Sequence, residues 1–308
     1  MKLRILPFLL VLVVSFSSRL CFADIVTDVR SAVAERDFSS ATMQLESYRK
    51  QAGVDPAYLE ALSWLARGYL SANQLDEAER AAQQTESSAV ELLKKRSFDS
   101  EPHLPIALGA AIEVEAQVLV SRGKNDQAAA LLRRNLATYR STSLRARLQK
   151  NLNLLGLAGQ PAPALAVTDY LGVRPSSLAQ LKGSPVLLFF WAHWCIDCKH
   201  EGPIISQLSR DYASRGLKVE APTQLYGYAA AGEDAKPKDE LAYIGRVWQQ
   251  YYPGLQDFPV PVSRANFDRY GASTTPTLVL IDRQGKVVLY HPGMMSYDEL
   301  RSAIEKTL

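Results

Sequence analysis

The sequence has 308 residues, of which 47% are hydrophobic, and it carries a formal net charge of +3. A chain of this length and composition can bury a substantial core and has room for two domains. Three of its 35 basic residues, Lys2, Arg4 and Arg19, lie in the first 23 positions, which hold none of the 32 acidic residues. Because the remainder is formally neutral, charge gives no reason to expect nucleic acid or an anionic membrane surface as a partner.

Residues 1–23 have the pattern of a secretory signal peptide. Lys2 and Arg4 precede a short apolar run at residues 5–14, and a small-x-small motif predicts cleavage near Ala23. The apolar run is shorter than the ~20 residues that cross a bilayer, and no later stretch is expected to do so. We therefore expect a periplasmic or otherwise exported protein without a stable membrane span. Lipid attachment at Cys21 is disfavoured by the bulky Leu20 before it.

Cleavage of that segment would leave two cysteines, Cys195 and Cys198, in an oxidising compartment. Structural disulfide frameworks use more cysteines in smaller chains. A disulfide that closes so short a loop also stabilises little through chain entropy. Redox chemistry therefore explains the pair better than a structural role.

Residues 24–157 are predicted to form an all-helical domain. They are rich in Ala, Leu, Gln, Glu and Arg, and their apolar residues recur at helical spacing. Asp55 and Pro56 mark a helix start, with an N-cap followed by proline at the first helical position. Turn-forming residues predict a loop at residues 97–105.

Three segments of this domain, residues 34–41, 64–81 and 116–128, are similar to tetratricopeptide units, in which a short turn joins two packed helices. Their spacing is irregular, which leaves an irregular helical bundle as the alternative. The domain could offer a surface to a protein partner, or it could only position its neighbour, and the sequence does not separate the two.

The redox motif follows a break in the helical pattern at residues 155–163, where glycine and proline recur. Residues 185–190 have the length and composition of a buried strand. Apolar residues after the motif recur at helical spacing. Cys195 is therefore predicted at a helix N-terminus, whose free N–H groups and dipole favour a thiolate, with Cys198 one turn further along.

Four segments now carry a family resemblance: GQPAP at 159–163, SLAQLKG at 177–183, WAHWCIDCKHEGP at 191–203 and TPTLVLIDRQGKVV at 275–288. On these motifs, residues 158–308 resemble the thioredoxin-fold domain of TlpA/ResA/CcmG-type proteins, which are exported thiol–disulfide oxidoreductases. The expected fold is α+α/β: a helical domain followed by a mixed sheet with helices on both faces.

The remaining elements of this domain are predicted from pattern. A strand is expected within residues 217–228, and residues 278–281 and 287–290 should form a hairpin around a tight turn. A terminal amphipathic helix over 297–308 should have Ser296 as its N-cap. The family comparison puts a helical insertion at residues 233–258, whose aromatic side chains we expect to fill core rather than a substrate groove.

The resemblance implies roles for the residues of the redox helix. Cys195 would be the nucleophile that forms a mixed disulfide, and Cys198 would resolve it. Glu201 lies on the same helical face, where burial would raise its pKa and let it exchange a proton with Cys198. The alternative for Glu201 is an exposed carboxylate that merely suits the helix dipole.

The substrate side is also implied by the resemblance. A cis Pro276 would face the cysteines, so that Thr275 offers its N–H and C=O groups to an extended substrate, with Trp194 beside it. Ile196 and Asp197 separate the cysteines where the family often has a proline. We expect them to tune the redox potential, because an acid beside the thiols disfavours the thiolate.

Other chemistries fit less well. A zinc site needs about four ligands, and only His193 and His200 lie near the pair. Attached haem needs a histidine after the second cysteine, where Lys199 stands. A peroxiredoxin would need upstream residues that Cys195 lacks. We therefore expect no metal and no cofactor beyond the disulfide itself. His193 could stabilise the thiolate, but a lone histidine in a loop is more often incidental, so we assign it no role.

The sequence thus predicts an exported oxidoreductase that reduces protein disulfides through a Cys-x-x-Cys pair and takes electrons from a donor it does not identify. The non-enzyme alternative is a scaffold whose helical domain binds a partner and whose redox site is regulatory.

Overall fold

The computed structural model describes residues 24–308, so the predicted signal peptide lies outside the described residues. The described chain begins with seven helices, α1 Ile25–Ala34, α2 Phe38–Ala52, α3 Pro56–Ser71, α4 Leu75–Leu93, α5 His103–Ser121, α6 Asn125–Thr138 and α7 Arg145–Gly156. Asp55 caps α3 by accepting a hydrogen bond from the Tyr58 N–H, and Pro56 opens the helix, as predicted.

The three tetratricopeptide-like segments fall on the helical hairpins α1–α2, α3–α4 and α5–α6. Within each hairpin the two helices pack against each other. Neighbouring hairpins also pack closely where α1 meets α3, because a Cβ on Gly68 in α3 would lie 2.7 Å from the Val33 side chain of α1. Membership of the tetratricopeptide class stays a prediction.

Two expectations for this region are wrong. The predicted loop at residues 97–105 ends early, because α5 already begins at His103 and takes Pro105 into its first turn, where a proline costs no helical hydrogen bond. Helix α5 is also long and apolar enough to cross a membrane by length and composition alone. It packs between α3, α4 and α6, and more than half of it is buried, so its apolar surface belongs to the core of the helical bundle.

The second part contains six strands and four helices: β1 Asp169–Leu171, β2 Val186–Phe190, α8 Ile196–Asp211, β3 Lys218–Glu220, α9 Pro237–Tyr251, β4 Val260–Val262, α10 Arg264–Tyr270, β5 Thr277–Ile281, β6 Val287–Pro292 and α11 Tyr297–Glu305. The main sheet has the order β3-β2-β5-β6. Strands β2 and β3 are parallel, whereas β2–β5 and β5–β6 are antiparallel.

Both faces of this sheet are covered, as the fold prediction requires. Leu187 and Phe189 of β2 face one core with residues of α8 and α11, and the alternate Leu188 and Phe190 face a second core with Phe267 of α10. The mixed sheet with helices on both faces is confirmed. It holds the C-terminal end of β2, where the redox motif begins, between two apolar layers.

The hairpin β5–β6 and the terminal helix agree with the predictions. Ser296 caps α11 in a capping box with Glu299. The sequence did not predict the two-stranded pair β1–β4 or the helix α10. Each of these strands has only three residues, which is too short for period-two alternation to be read.

The two halves of the chain meet where α7 packs on α10. Gly271, at φ +61°, ends α10, and a Cβ there would lie 2.2 Å from the backbone nitrogen of Lys150 in α7. Arg145 Nε lies 3.7 Å from Asp268 Oδ2 across the same junction. The redox half and the helical half therefore meet backbone to backbone.

Replacing Gly271 should loosen this junction. Gly271→Ala places an alanine in the left-handed backbone conformation and also creates a clash between its Cβ and α7. Gly123→Ala is the control, because Gly123 has a similar φ of +73° but no atom lies near its Cβ. We expect Gly123→Ala to lower the free energy of unfolding by about 1–2 kcal/mol. Gly271→Ala should cost about 1–3 kcal/mol more, because the core cannot absorb the methyl group. Denaturant unfolding of both variants checks this, and equal losses would contradict it.

Candidate active site

The cysteine pair lies at the start of α8. Cys195 is the N-cap residue of the helix, and it forms a disulfide with Cys198, with the Cα atoms 5.3 Å apart. The Cys198 N–H donates a hydrogen bond to Cys195 Sγ at 3.0 Å. After reduction, this N–H and the helix dipole would both stabilise a Cys195 thiolate. The predicted position of the pair, with Cys195 at the helix start and Cys198 one turn in, is confirmed.

An aromatic cluster holds the loop that leads into the pair. Trp191 is fully buried, and its indole N–H donates to the Ala221 carbonyl at 3.0 Å. The rings of Trp248 and Tyr252, around the end of α9, both have centroids 4.9 Å from the Trp191 ring. The predicted helical insertion thus contributes the core aromatics Trp248 and Tyr252, as expected, and they pack on the loop that leads into the cysteine pair. Tyr251 is the exception, because it is 42% exposed.

Glu201 is buried in α8, three residues after Cys198, with no exposed surface. One carboxylate oxygen accepts the Met295 N–H at 3.3 Å, and the other has no partner. Burial raises the pKa of Glu201 to about 7, and the Met295 hydrogen bond offsets only part of that effect. The structure therefore rejects the exposed-carboxylate alternative and places a buried carboxyl with a raised pKa in the redox helix.

The Thr275–Pro276 peptide bond is cis, as predicted. The Thr275 carbonyl oxygen lies 3.4 Å from Cys195 Sγ, so this turn meets the disulfide across the fold. The loop before α11 joins the same region, since the Gly293 N–H donates to the Pro276 carbonyl at 2.8 Å. The cysteines, Thr275 and Pro276 therefore form one site.

The remaining predicted residues lie on the outer face of the pair. Trp194 and Ile196 are 50% and 66% exposed, although Cys195 between them is only 4% exposed. Asp197 is also exposed, in the first turn of α8. A partner that reaches the Cys195 sulfur must therefore cover a large apolar surface.

The sequence assigned no role to His193, but the structure buries it in a polar cluster. His193 Nε2 lies 3.5 Å from Glu240 Oε1, and each side chain is 1% exposed. Three tyrosine rings surround the imidazole edge-on, with centroids 5.3–5.5 Å away: Tyr226, Tyr228 and Tyr243. Burial lowers the pKa of His193 despite the carboxylate beside it. Glu240 lies 47 positions further along the chain, so no local pattern could have revealed the pair.

Glu240 also anchors the loop that follows β3. Its carboxylate accepts the backbone N–H groups of Tyr226 and Gly227 at 2.5 and 2.9 Å. The Tyr226 ring in turn packs edge-on against Trp194.

A second buried carboxylate, Glu220 of β3, was also not predicted from the sequence, and burial raises its pKa to about 7. Nothing in the three residues of its strand, Lys218–Glu220, signals the burial of this acid.

Within residues 24–308, no cluster of three or more His, Cys, Asp and Glu side chains is arranged to hold a metal ion. The chemistry that the site offers is that of the two sulfurs, the buried carboxylate and the cis-proline turn.

Known proteins are similar to the second half of this chain. Residues 176–308 match the family model of the thioredoxin-like domain. The sequence is 32% identical over 150 residues to the thiol-disulfide oxidoreductase ResA of Bacillus thuringiensis (strain Al Hakam), a match that covers 48% of this chain and 77% of that protein. The chain belongs to the thioredoxin-like thiol–disulfide oxidoreductases.

Two further relatives of this oxidoreductase have similar coverage. ResA of Bacillus subtilis (strain 168) is 30% identical over 138 residues, which cover 45% of this chain and 69% of ResA. A crystal structure described as a thiol:disulfide interchange protein DsbE from Chlorobium tepidum has 30% identity and a TM-score of 0.38, and covers 49% of this chain and 96% of that one. Each match covers about half of this oxidoreductase, and the family model does not include helices α1–α7.

The buried Glu201 should make the stability of the oxidised protein depend on pH. Its folded pKa of about 7 lies above the ordinary glutamate pKa of 4.5, so the proton it retains stabilises the fold at low pH, and this contribution is lost as pH rises through about 7. Glu201→Gln keeps the neutral shape. We therefore expect the variant to gain stability relative to the wild type from about pH 5 to about pH 8, by up to about 3 kcal/mol.

Chemical denaturation at several pH values measures this difference. Glu35→Gln, at an exposed position beyond α1, is the control and should leave the pH profile as it is in the wild type. Parallel profiles for the wild type and Glu201→Gln would show that the Glu201 carboxyl does not titrate differently in the folded protein.

Proposed function

We propose that this protein is an exported reductant of protein disulfides, in which Cys195 attacks the substrate and Cys198 resolves the mixed disulfide. The observation that carries this proposal is the position of Cys195 at the N-terminus of α8, where its sulfur accepts the Cys198 N–H at 3.0 Å. A thiolate at this place is favoured over a thiol, and the thiolate is the attacking species in disulfide exchange.

The reaction proceeds in two balanced steps. The Cys195 thiolate of the reduced protein attacks one sulfur of a substrate disulfide, forms a mixed disulfide and releases the other substrate sulfur as a thiolate. Cys198 then loses its proton and attacks Cys195 Sγ, which restores the Cys195–Cys198 disulfide and releases the second substrate thiolate. Two electrons pass to the substrate, and an external dithiol donor must return them to the protein.

Glu201 is the group we assign to the proton of Cys198. It lies three residues further along the same helix, buried, with one oxygen free of protein hydrogen bonds. A carboxyl with a pKa of about 7 is half ionised near neutral pH, so it can both accept and return a proton. The apolar surroundings of Cys198 leave few other acceptors.

On the substrate side, Thr275 would pair with an extended segment of the substrate protein, beside the exposed Trp194 ring. The proximity of the Thr275 carbonyl to Cys195 Sγ supports this role. Export is supported by the signal-like pattern of residues 1–23 and by the need for a compartment in which protein disulfides form. Sequencing the N-terminus of the mature protein tests the export proposal directly.

Single cysteine variants test the two-step mechanism. Cys195→Ser should abolish insulin reduction, because no sulfur is left to attack the substrate. Cys198→Ala should also lose turnover but should accumulate a mixed disulfide with substrate, which non-reducing electrophoresis detects. Turnover that survives Cys195→Ser, or a mixed disulfide trapped on Cys198 of that variant, would show that Cys195 is not the attacking sulfur.

The acid between the cysteines should make the couple more reducing. Asp197 lies exposed in the first turn of α8, where its charge disfavours the neighbouring thiolate of the reduced form. Removing an exposed charge is worth about 0.3–1 kcal/mol, so Asp197→Asn should raise the reduction potential by about 10–20 mV. Equilibration with glutathione measures the potential. Asp126→Asn, in the first turn of α6, should leave it unchanged, and an unchanged or lower potential for Asp197→Asn refutes the expectation.

A further inference from the structure

A groove with a volume of 280 Å³ opens beside the redox site, between the two halves of the chain. Trp194 and Thr275 line it on the redox side. Ser143 and Ala146, at the start of α7, line it on the helical side. The family model begins at residue 176, so this second wall is made by a part of the chain that the matched family segment does not include.

The helical wall is fixed in place from both directions. On one side, Glu113 of α5 accepts hydrogen bonds from Arg147 and Lys150 of α7, at 2.5 and 3.0 Å, and all three side chains are largely buried. On the other side, the backbone of α7 passes so close to Gly271 that no Cβ fits between them. The groove is therefore a built feature of the fold, with walls set by packing.

Substrates of the proposed reductase must pass this groove. A substrate sulfur has to reach Cys195 Sγ, and the Thr275 carbonyl, 3.4 Å from that sulfur, is one of the groove residues. A chain that pairs with Thr275 must also pass the start of α7. A small disulfide can reach the sulfur without filling the groove, but a protein segment cannot.

The lining defines the chemistry of the occupant. Trp194 and Leu225 are 50% and 36% exposed, and with Phe267 they give the groove an apolar floor. At the rim, the charge of Asp268 faces Arg145, whereas Arg264 has no ion-pair partner in the part of the chain that the structure describes. The lining of the groove therefore presents an apolar surface and the Arg264 cation, while the exposed Asp99 carboxylate nearby accepts hydrogen bonds from Ser143 on the helical wall.

Resting on the proposed function, we propose that the helical domain supplies one wall of the substrate groove and selects extended protein segments that carry an apolar residue next to the reactive cysteine and an acidic residue beyond it. The apolar side chain lies on Trp194 and Leu225, and the acidic side chain pairs with Arg264. The helical domain is thus part of the specificity site of the oxidoreductase.

Single-turnover reduction by the full-length, pre-reduced protein tests this proposal. The substrates are hydroxyethyl disulfide, which has no peptide part, and two peptides in mixed disulfide with hydroxyethanethiol, with Phe next to the cysteine and either Glu or Lys beyond it. The two electrons come from the protein dithiol, so no donor is needed. Loss of protein thiols, followed by alkylation and mass spectrometry, gives each second-order rate constant.

A large side chain on the helical wall of the groove should slow the reduction of peptides more than the reduction of hydroxyethyl disulfide. Ala146→Trp should lower the ratio of the Glu-peptide rate to the hydroxyethyl disulfide rate by about tenfold. Ala137→Trp is the matched control, because Ala137 is an exposed alanine of α6 outside the groove, and it should leave the ratio as in the wild type. Ser143→Trp, at an exposed groove position, repeats the test in case Ala146→Trp does not fold. Equal ratios for the groove and control variants overturn the proposal.

Charge reversal tests the second part of the selection. The wild type should reduce the Glu peptide faster than the Lys peptide, by about threefold to tenfold, and Arg264→Glu should reverse that order. An order that does not change with Arg264→Glu removes the acidic residue from the proposal. If the wild type reduces neither the peptides nor hydroxyethyl disulfide, the proposed reductase function itself fails. If it reduces them all without discrimination, only the groove proposal fails.

Discussion

The site depends on one hydrogen bond, from the Cys198 N–H to Cys195 Sγ at the first turn of α8. It can form only if Cys195 lies at the end of the segment that follows β2 and is also the N-cap residue of α8. The buried Trp191 holds that segment in position. Because the acceptor sulfur occupies the place where a capping oxygen is usually found, the helix stabilises negative charge on that sulfur. Fold and reactivity are therefore set by the same few backbone groups.

Around that bond, the protein places one buried carboxyl and one cis-proline turn, each brought in by a different element. Glu201 comes with α8 itself, whereas Pro276 comes with β5, which pairs with β2 along the centre of the sheet. The loop before α11 links them, since Met295 binds Glu201 and Gly293 binds Pro276. The Glu201 carboxyl and the cis-proline turn are thus held by one short loop, so a change in that loop should affect both.

The sequence was sufficient to predict the features that depend on residues close together in the chain. The redox helix, the β5–β6 hairpin, the Asp55 and Ser296 caps and the cis Pro276 all rest on a few adjacent residues or on a motif, and all are found in the structure. It was insufficient where residues far apart in the chain meet. The His193–Glu240 pair, the groove wall at Ala146 and the end of α10 at Gly271 depend on packing between elements that no spacing rule connects. The short strands β1 and β4 were missed because three residues show no period.

The backbone contact between Gly271 and α7 has a consequence for how such proteins can be recombined. A junction lined by side chains can adapt to a new neighbour by changing rotamers, but a junction of bare main chain cannot. The redox half could therefore be transplanted onto a different helical partner only if that partner presented a helix with an equally unobstructed stretch of backbone. The two halves behave as a matched pair rather than as interchangeable modules.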